Sequence, residues 1–306
     1  MEERQLNKII VIGSMATDFV VTTKVKPNQG ETVFGEKFDT NFGGKGANQA
    51  IAASRLGAEV AMLGHVGTDR FGNEIVENLN VNGVSTENVE PVTHFPSGAA
   101  HIILHENDNS IIVIPGANNA LDLARFSEIK GNITEADLVI LQNEIPQEAN
   151  EAIIDWCWEA KIPVLYNPAP ARKLNPRMLS KVGYLTPNEH EFKLLFPNQK
   201  LADVLAAYPN RLIVTLGAKG AIFHNGKSEV LVPAFPVAAV DTTGAGDTLN
   251  GALAVGILAG VPLENAIAFA NLAAAISVKG YGAQGGMPTL KEMKESPLYE
   301  EAWGIK

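Results

Sequence analysis

Residues 43–64 read GGKGANQAIAASRLGAEVAMLG and hold the pattern that decides the fold. Ala47–Leu56 is helix-like, and Gly57 follows it where a glycine commonly ends a helix. Glu59–Gly64 is then an almost continuous apolar run, which suits a strand covered on both faces, as in a parallel sheet. The stretch therefore predicts a helix followed by a buried parallel strand.

The same pattern recurs on both sides of this stretch. Further strand-like apolar runs are Lys8–Gly13, Asp137–Gln142, Pro163–Asn167 and Arg211–Leu216. Further helix-like stretches are Phe71–Asn82 (followed by Gly83), Pro146–Ala160 and Leu263–Val278. The alternation predicts an α/β fold with a mostly parallel central sheet and helices on both of its faces.

Two segments depart from this alternation. Phe19–Phe42 and Ser97–Pro115 contain strand-like pieces with no helix between them, and Asn107–Ser110 is a hairpin-like separator. They predict antiparallel ribbons, built from about residues 18–42 and 97–115. Such a sheet would be a flap over a site, a dimer surface or both; the alternative is an ordinary extension of the central sheet.

Composition excludes some classes of protein. The 306 residues are 46% hydrophobic and show no repeat or linker, which predicts a single domain spanning 1–306. Acidic residues outnumber basic ones by 34 to 24, which argues against a nucleic-acid partner. The N-terminal apolar run is too short for a membrane span, so a cytoplasmic location is expected. The single cysteine, Cys157, is expected to fill the core.

The segment Val240–Gly251, VDTTGAGDTLNG, carries the clearest chemical signal. It follows the strand-like Leu231–Val240 and opens an apolar helix at Leu249–Ala259. Its two central glycines let the backbone approach a ligand closely, and a helix start favours an anion such as a transferring phosphoryl group. Asp247 falls in the first helical turn, where an ionised carboxylate can accept a proton from an attacking hydroxyl. The alternative, a simple capping Asp, explains fewer of these residues.

A second glycine-rich segment, Asn41–Ala50, is not a Walker A loop. Asp39 stands where the first glycine of that motif belongs, and Gly46 follows Lys45 in place of Ser or Thr. The segment instead offers Lys45 and Asn48 as hydrogen-bonding partners for a polyol. A glycine turn with a solvated lysine is the alternative on spacing alone.

Three other features of the sequence carry weaker signals. Gly280–Gly285 satisfies G-x-G-x-x-G, but it follows a helical stretch rather than a strand, so a dinucleotide site is rejected. Asn188 and Glu191 lie three positions apart and could orient hydrated Mg²⁺; alternatively they form a helix cap, and both roles are compatible. The six histidines show no metal-binding spacing.

Taken together, these segments resemble the ribokinase (PfkB-type carbohydrate kinase) family almost from end to end. GGKGANQA at Gly43–Ala50 is similar to one family signature and AVDTTGAGDTLNGA at Ala239–Ala252 to the other. LQNE, NPAPA, TPNEHE, TLGAKG and GAQ follow in the family's order. The resemblance implies a three-layer αβα fold with a small β-sheet lid, which often forms a dimer interface.

The resemblance also implies a role for each matching position. Asp247 would be the catalytic base, with Gly244, Ala245 and Gly246 forming an anion hole. Positions that would hold the sugar are Ala16, Asp18, Gly44, Lys45, Asn48 and Glu144. Positions matching the ATP site are Asn188, Thr215, Leu216, Gly217, Ala218, Lys219, Gly220 and Asn271, together with Ala245 and Gly246. Asn188 and Glu191 match the Mg²⁺ motif. Positions matching a K⁺ site are Asp241, Thr243, Ser277, Gly280, Gly282 and Gly286.

The implied activity is transfer of the ATP γ-phosphoryl group to O5 of D-ribose. Two positions depart from the family pattern: Ala16 replaces an Asn expected to bond the sugar, and Gly286 replaces a common Ser. Because Ala16 cannot make that bond, discrimination against 2-deoxyribose is expected to weaken. Another sugar or nucleoside kinase of the family, and a non-catalytic sugar sensor, are further alternatives.

Overall fold

The computed structural model describes residues 8–105, 108–121, 130–133 and 135–305. Its strands are β1 (Lys8–Ile12), β2 (Ala16–Thr23), β3 (Gly35–Gly43), β4 (Glu59–Gly67), β5 (Val84–Val92), β6 (Gly98–His105), β7 (Asp108–Ile114), β8 (Leu138–Gln142), β9 (Val164–Asn167), β10 (Tyr184–Leu185), β11 (Ile213–Thr215), β12 (Ala221–His224) and β13 (Glu229–Val232).

The helices in the described residues are α1 (Lys45–Arg55), α2 (Arg70–Val81), α3 (Lys130–Ile133), α4 (Gln147–Ala160), α5 (Pro176–Lys181), α6 (Glu189–Leu195), α7 (Leu201–Ala207), α8 (Ala245–Leu258), α9 (Leu263–Ser277), α10 (Gly282–Gly285) and α11 (Leu290–Glu295). Short 3₁₀ turns span Gly116–Ala120, Gly217–Lys219 and Glu301–Trp303. Gly57 and Gly83 follow α1 and α2 with φ of 94° and 76°, which confirms them as helix-ending glycines.

The central sheet has six parallel strands in the order β10-β9-β8-β1-β4-β5. Successive side chains of a strand face opposite sides, and β1 shows the result directly. Ile9 and Val11 join the core beneath α1, α8 and α9, whereas Ile10 and Ile12 join the core beneath α4 to α7. Each face of the sheet is therefore covered by helices, which confirms the predicted three-layer α/β fold.

The two predicted ribbons are also confirmed. β2 pairs with β3, and β6 with β7, in antiparallel register. A parallel pairing of β2 with β6 then joins the ribbons into a separate sheet of order β3-β2-β6-β7. Residues 106 and 107, at the predicted hairpin turn, lie outside the described part of the chain. This four-stranded group is called the small sheet below.

Two strand predictions were wrong in detail. Arg211–Leu216 was expected in the parallel sheet, but β11 forms its ladder in an antiparallel sheet with β12 and β13, and the segment adjoins the end of the parallel sheet only through two isolated parallel bridges, Leu185 to Leu212 and Asn188 to Thr215. Leu231–Val240 was expected to be a strand, but β13 ends at Val232. Pro233, which follows at once, has no N–H to donate to a ladder, and Pro236 repeats the interruption.

The remaining predictions about single elements hold. Cys157 is fully buried in the core, as expected. Gly282–Gly285 follows helix α9 rather than a strand, as the rejection of a dinucleotide motif required. No helix within the described ranges is long and apolar enough to cross a membrane.

Candidate active site

Helix α8 begins at Ala245 because Gly244 turns the chain into it. Gly244 has φ of 77°, the left-handed region that favours glycine, and a Cβ there would overlap the carbonyl oxygen of Ala283. A Cβ on Gly246, in contrast, would meet no atom within 4 Å. The first turn of α8 thus carries helix-start N–H groups and has open space beside Gly246, an arrangement suited to an anion.

Asp247 lies in this first turn and is only 6% exposed. Its Oδ2 accepts a hydrogen bond from Asn48 Nδ2, and its Oδ1 accepts one from Gln49 Nε2, each at 2.9 Å. A buried carboxylate is costly unless it is paired, and both oxygens here have a donor. Since each carboxylate oxygen can accept more than one bond, Asp247 retains acceptor capacity for a substrate hydroxyl.

Two further side-chain amides bind Asn48 and Gln49 in turn. Gln284 Nε2 donates to Asn48 Oδ1, and Gln142 Nε2 donates to Gln49 Oε1, at 2.9 and 2.8 Å. Gln142 closes β8, and its Oε1 fills the space that a Cβ on Gly13 would need. The carboxyl ends of β1 and β8 therefore meet the base, which is where open α/β sheets bind ligands.

Lys45 and Glu144 lie beside this base. Glu144 accepts hydrogen bonds from the Ser14 hydroxyl and, at 3.0 Å, from the backbone N–H of Lys45. The negative charge of Asp247 raises the pKa of Lys45 despite burial, and Glu144 and Glu191 add to this effect. The ammonium group is therefore charged, and it offsets the carboxylates that surround it.

Asp18 approaches the same place from the small sheet. It pairs with Asn41 across β2 and β3, and its carboxylate lies where a Cβ on Gly43 would be 2.5 Å away. Burial raises the pKa of Asp18 to about 7, with smaller contributions from the charges of Glu144 and Asp247. A protonated Asp18 can donate as well as accept a hydrogen bond near neutral pH.

A cavity of about 140 Å³ opens next to Asp247. It is lined by residues from the strand ends, the first turn of α8 and the start of α6: Lys45, Asn167, Ala169, Thr186, Asn188, Glu191, Thr215, Gly244, Gly246, Asp247 and Asn250. The sequence-predicted base, glycine turn, Lys45 and Mg²⁺ pair therefore share one cavity. Thr186 donates to Asn250 Oδ1, and Asn250 Nδ2 donates to the carbonyl of Gly246, which ties the cavity wall to α8.

Asn188 and Glu191 form a complete capping box. Glu191 N donates to Asn188 Oδ1 at 2.9 Å, and Asn188 N donates to Glu191 Oε2 at 2.8 Å. Burial raises the pKa of Glu191, although the hydrogen bond from Asn188 and the charge of Lys45 oppose this. A carboxylate facing the cavity also fits a hydrated Mg²⁺, which needs only one or two protein carboxylates beside substrate phosphates.

The six positions that match the K⁺ site come from two neighbouring segments. Burial alone would raise the pKa of Asp241, but hydrogen bonds from Thr243 and from Gly282 N hold it below its usual value. Gly280 and Gly286 pack against each other, and a Cβ on Gly286 would overlap the carbonyl oxygen of Ser277. The two segments supply a carboxylate and backbone carbonyls, and oxygen ligands of this kind suit a hard cation.

Of the other positions matched to the nucleotide site, Thr215 lines the same cavity as Asp247, whereas Gly217–Gly220 and Asn271 do not line it. Thr215 ends β11, and Gly217–Lys219 form an exposed 3₁₀ turn closed by Leu216 N donating to Gly220 O. Asn271 is 4% exposed, and its Nδ2 donates to the carbonyls of Val232 and Pro233. The side-chain nitrogen of Asn271 therefore binds the end of β13, and the side-chain oxygen remains available for a further hydrogen bond.

Ala16 and Gly44 lie at the junction of β2 with α1. Gly44 precedes α1 with φ of 88°, and a Cβ on it would come within 2.9 Å of the backbone nitrogen of Ala16. Ala16 stands opposite Gly43 and Gly98 in the neighbouring strands of the small sheet. With only a methyl group, it makes no side-chain hydrogen bond at this edge.

Sequence reasoning missed the amides that hold the base. Gln49, Gln142 and Gln284 were not singled out, and neither was Ser14 beside Glu144. Gln49 and Gln284 lie inside segments already quoted for the family resemblance, so position in a motif was the available signal. Among the described residues, no group of three or more His, Cys, Asp or Glu side chains could hold a metal.

Comparison with known proteins bears on this geometry. The family model "pfkB family carbohydrate kinase" matches residues 6–290. Ribokinase of Bacillus subtilis is 50% identical over 290 residues, which cover 95% of this chain and 99% of that protein. Deoxyribokinase of Salmonella typhi is 38% identical over 298 residues, covering 94% of this chain and 97% of the relative.

Solved structures point the same way. The structure of Arabidopsis thaliana ribokinase complexed with ribose and ATP superposes with a TM-score of 0.85 at 30% identity, covering 94% of this chain and 97% of that one. Both the matched family model and the relatives extend over nearly the whole chain. The chain belongs to the pfkB family of carbohydrate kinases.

Proposed function

We propose that this carbohydrate kinase transfers the γ-phosphoryl group of ATP to the O5 hydroxyl of D-ribose, giving ribose 5-phosphate and ADP. The observation that carries the proposal is Asp247, a buried carboxylate that faces a small polar cavity from a glycine-lined helix start. The 50% identity to a ribokinase over 95% of the chain supports ribose as the acceptor.

In this proposal Asp247 takes the proton of the O5 hydroxyl as that oxygen attacks the phosphoryl group. The N–H groups at Gly244, Ala245 and Gly246 face the phosphoryl oxygens, because the helix start favours negative charge there. Asp18, Gly44, Lys45, Asn48 and Glu144 hold the sugar. Orientation of the hydroxyl toward both the base and the phosphorus accounts for much of the rate in such a reaction.

The nucleotide lies over Thr215–Gly220, with Asn271 at its edge and its phosphates directed toward α8. Asn188 and Glu191 would hold hydrated Mg²⁺, which neutralises charge on the phosphates when bound. Asp241, Thr243, Ser277, Gly280, Gly282 and Gly286 would hold K⁺. The backbone of Ala283 touches Gly244, so the K⁺ segment is in direct contact with the glycine turn.

The small sheet is proposed as a lid and as the contact between two copies of the chain. Four consecutive residues of β7, Ile111 to Ile114, are 41–63% exposed; at the opposite edge of the sheet, Phe38 on β3 and Phe34 just before it are 62% and 97% exposed. β7 is an edge strand, and an apolar edge with exposed backbone groups favours pairing with another chain. Closure of this lid would exclude water from the phosphoryl transfer.

A second candidate acceptor is 2-deoxyribose. It is favoured by Ala16. In the family pattern an Asn at this position is expected to bond the sugar hydroxyl that 2-deoxyribose lacks, and the methyl group of Ala16 cannot make that bond. A site without that bond rejects the deoxy analogue less strongly. The deoxyribokinase relative is compatible with this choice but is less similar than the ribokinase, at 38% against 50% identity.

The test is an ADP-release assay over ribose, 2-deoxyribose, fructose and inosine, each with and without K⁺, with ³¹P NMR of the product. We expect the highest kcat/KM with ribose and a phosphomonoester at C5. A higher kcat/KM with 2-deoxyribose would select the second candidate. ATP consumption that no sugar or nucleoside stimulates would overturn the kinase assignment and favour a sugar-binding sensor.

A further inference from the structure

Five side chains form a continuous line of hydrogen bonds that ends on Asp247. Arg55 Nε donates to Asn82 Oδ1 at 2.8 Å, and Asn82 Nδ2 donates to Asn78 Oδ1 at 3.3 Å. Asn78 Nδ2 then donates to Gln284 Oε1 at 2.9 Å. The last two links, from Gln284 to Asn48 and from Asn48 to Asp247, are both 2.9 Å. This line is called the amide relay below.

The two ends of the amide relay determine its direction. A guanidinium has only donors, and a carboxylate has only acceptors. Each carboxamide between them therefore turns its oxygen toward Arg55 and its nitrogen toward Asp247. Reversing any one amide would set two oxygens or two nitrogens against each other at both of its links, which costs far more than losing a single bond.

Arg55 is well placed to anchor the far end. Its Nη1 also donates to the backbone carbonyls of Gln284 and Met287, at 2.8 and 2.9 Å. Asn82 is the residue that ends α2, and its Nδ2 makes a further bond to the carbonyl of Asn78 at 2.8 Å. The anchor therefore fixes both the first amide of the relay and the backbone from which Gln284 projects.

We propose that the amide relay positions the carboxylate of Asp247 for catalysis, and that Asn78, Asn82, Gln284 and Arg55 are positioning residues for the reaction. This inference rests on the proposed role of Asp247 as the base. The relay keeps the N–H of Asn48, rather than its oxygen, against the carboxylate. A reversed Asn48 amide would repel Asp247 and turn it away from the sugar hydroxyl, and small misplacements of a catalytic group reduce turnover strongly.

The direction of the relay can be tested at Asn78, which is three hydrogen bonds from Asp247. Asn78→Asp has nearly the same shape but only acceptors, so it forces Gln284 and then Asn48 to reverse. Asn78→Ala removes one bond and leaves both of those amides in place. We expect kcat to fall roughly tenfold or more in Asn78→Asp and only about threefold in Asn78→Ala, with KM for ATP unchanged.

Asn80→Asp is the matched control. Asn80 lies on the same last turn of α2, is exposed, and uses its side chain only as an acceptor, from Thr86 Oγ1 at 2.9 Å. An Asp keeps that bond and adds the same charge at the same helix end. We expect wild-type kcat from Asn80→Asp, which separates reversal of the relay from a general effect of negative charge.

Asn82→Asp provides a second variant if Asn78→Asp does not fold. Its carboxylate would pair with Arg55 and would hold that side chain more firmly, yet it would face Asn78 Oδ1 with another oxygen. The relay predicts lower kcat with an unchanged or higher melting temperature. A purely structural role for these residues predicts no loss of kcat in this variant.

The outcomes distinguish the relay from the function on which it rests. All variants are measured beside Asp247→Asn in one assay, with melting temperatures for each. If Asp247→Asn is inactive but Asn78→Asp turns over as fast as Asn78→Ala, or Asn82→Asp retains wild-type kcat, the relay is wrong and the base assignment stands. If Asp247→Asn keeps its turnover, the base assignment itself fails.

Discussion

The interior around Asp247 buries polar side chains, whereas the outer strand of the small sheet exposes apolar ones. Around Asp247, charged and amide groups are buried, and the carboxylate has a donor on each oxygen. Along β7, apolar side chains from Ile111 to Ile114 remain 41–63% exposed. The base is held by donors from its own chain, whereas the edge of the small sheet leaves surface that another copy can cover.

Asp247→Asn should have the largest effect, because it removes the base from the buried site. The amide keeps the shape but cannot accept the hydroxyl proton, so kcat should fall by a factor of roughly 10² or more with ribose and ATP binding near normal. Steady-state kinetics with calorimetric titration of both ligands measures this. Asp203→Asn, an exposed acidic residue in the first turn of α7, is the control and should keep wild-type kcat. Wild-type turnover from Asp247→Asn would refute the assignment.

The two glycines of the turn should respond differently to alanine. Gly244→Ala meets both a left-handed φ and the backbone of Ala283, so it should lower the melting temperature and reduce kcat about tenfold or more. Gly246→Ala adds a methyl group in open space, so it should leave the melting temperature near wild type while lowering kcat. Wild-type kcat from Gly246→Ala would contradict the proposed phosphoryl position beside Gly246, and equal destabilisation of the two variants would contradict the open space there.

Ile112→Asp should disrupt the proposed contact between two copies of the chain along β7. Ile112 is 63% exposed on the edge strand, and a charge there opposes burial against a second copy. Light scattering should show a mass near 32.6 kDa for the variant and about twice that for the wild type. Leu231→Asp, at a 54% exposed position of β13, should leave the mass unchanged. A monomeric wild type would remove the proposed interface.

Asp18 belongs to the small sheet but approaches the base, and its substitution should have the smallest effect, a change in melting temperature with pH. Its pKa is 3.8 in an unfolded chain and about 7 when folded, so the native state holds the proton more tightly between these values. The stabilisation is therefore complete below pH 4 and is lost as pH rises through 7. Relative to wild type, Asp18→Asn should gain about 2 °C or more in melting temperature between pH 6 and pH 8.

Calorimetry at both pH values, without ligands, checks the Asp18 prediction. Asp39→Asn is the control, since the Asp39 carboxylate is 40% exposed on the same sheet and pairs with Lys37. It should show no comparable change between the two pH values. A pH-independent difference between Asp18→Asn and wild type would mean that burial does not raise the pKa of Asp18.

Much of the fold was predictable because a strand that is buried on both faces is apolar along nearly its whole length. Lys8–Gly13 and Asp137–Gln142 became β1 and β8 within a residue or two of their predicted ends. An apolar run does not reveal its neighbour, however: Arg211–Leu216 makes two isolated parallel bridges beside β10, but its ladder is the antiparallel one with β12. The position of Asp247 followed from its glycine turn, which local chain geometry requires.

The support of the base was not predictable in the same way. Gln284 reaches Asn48 across 236 positions of sequence, and Arg55 reaches the carbonyl of Gln284 across 229. Asn and Gln are common surface residues, so nothing in their local pattern distinguishes a buried relay from solvated amides. Only the packing of α1, α2 and the segment before Met287 brings these side chains together.

Gly286 limits which residues its position in the chain can hold. Because the carbonyl oxygen of Ser277 occupies the space that a Cβ would need, any larger residue at position 286 requires the backbone to move. A substitution of Gly286 would have to be accompanied by changes at the facing segment. A loop grafted from a homologue should therefore be exchanged as a whole, from Ser277 to Gly286, because its two ends pack directly against each other.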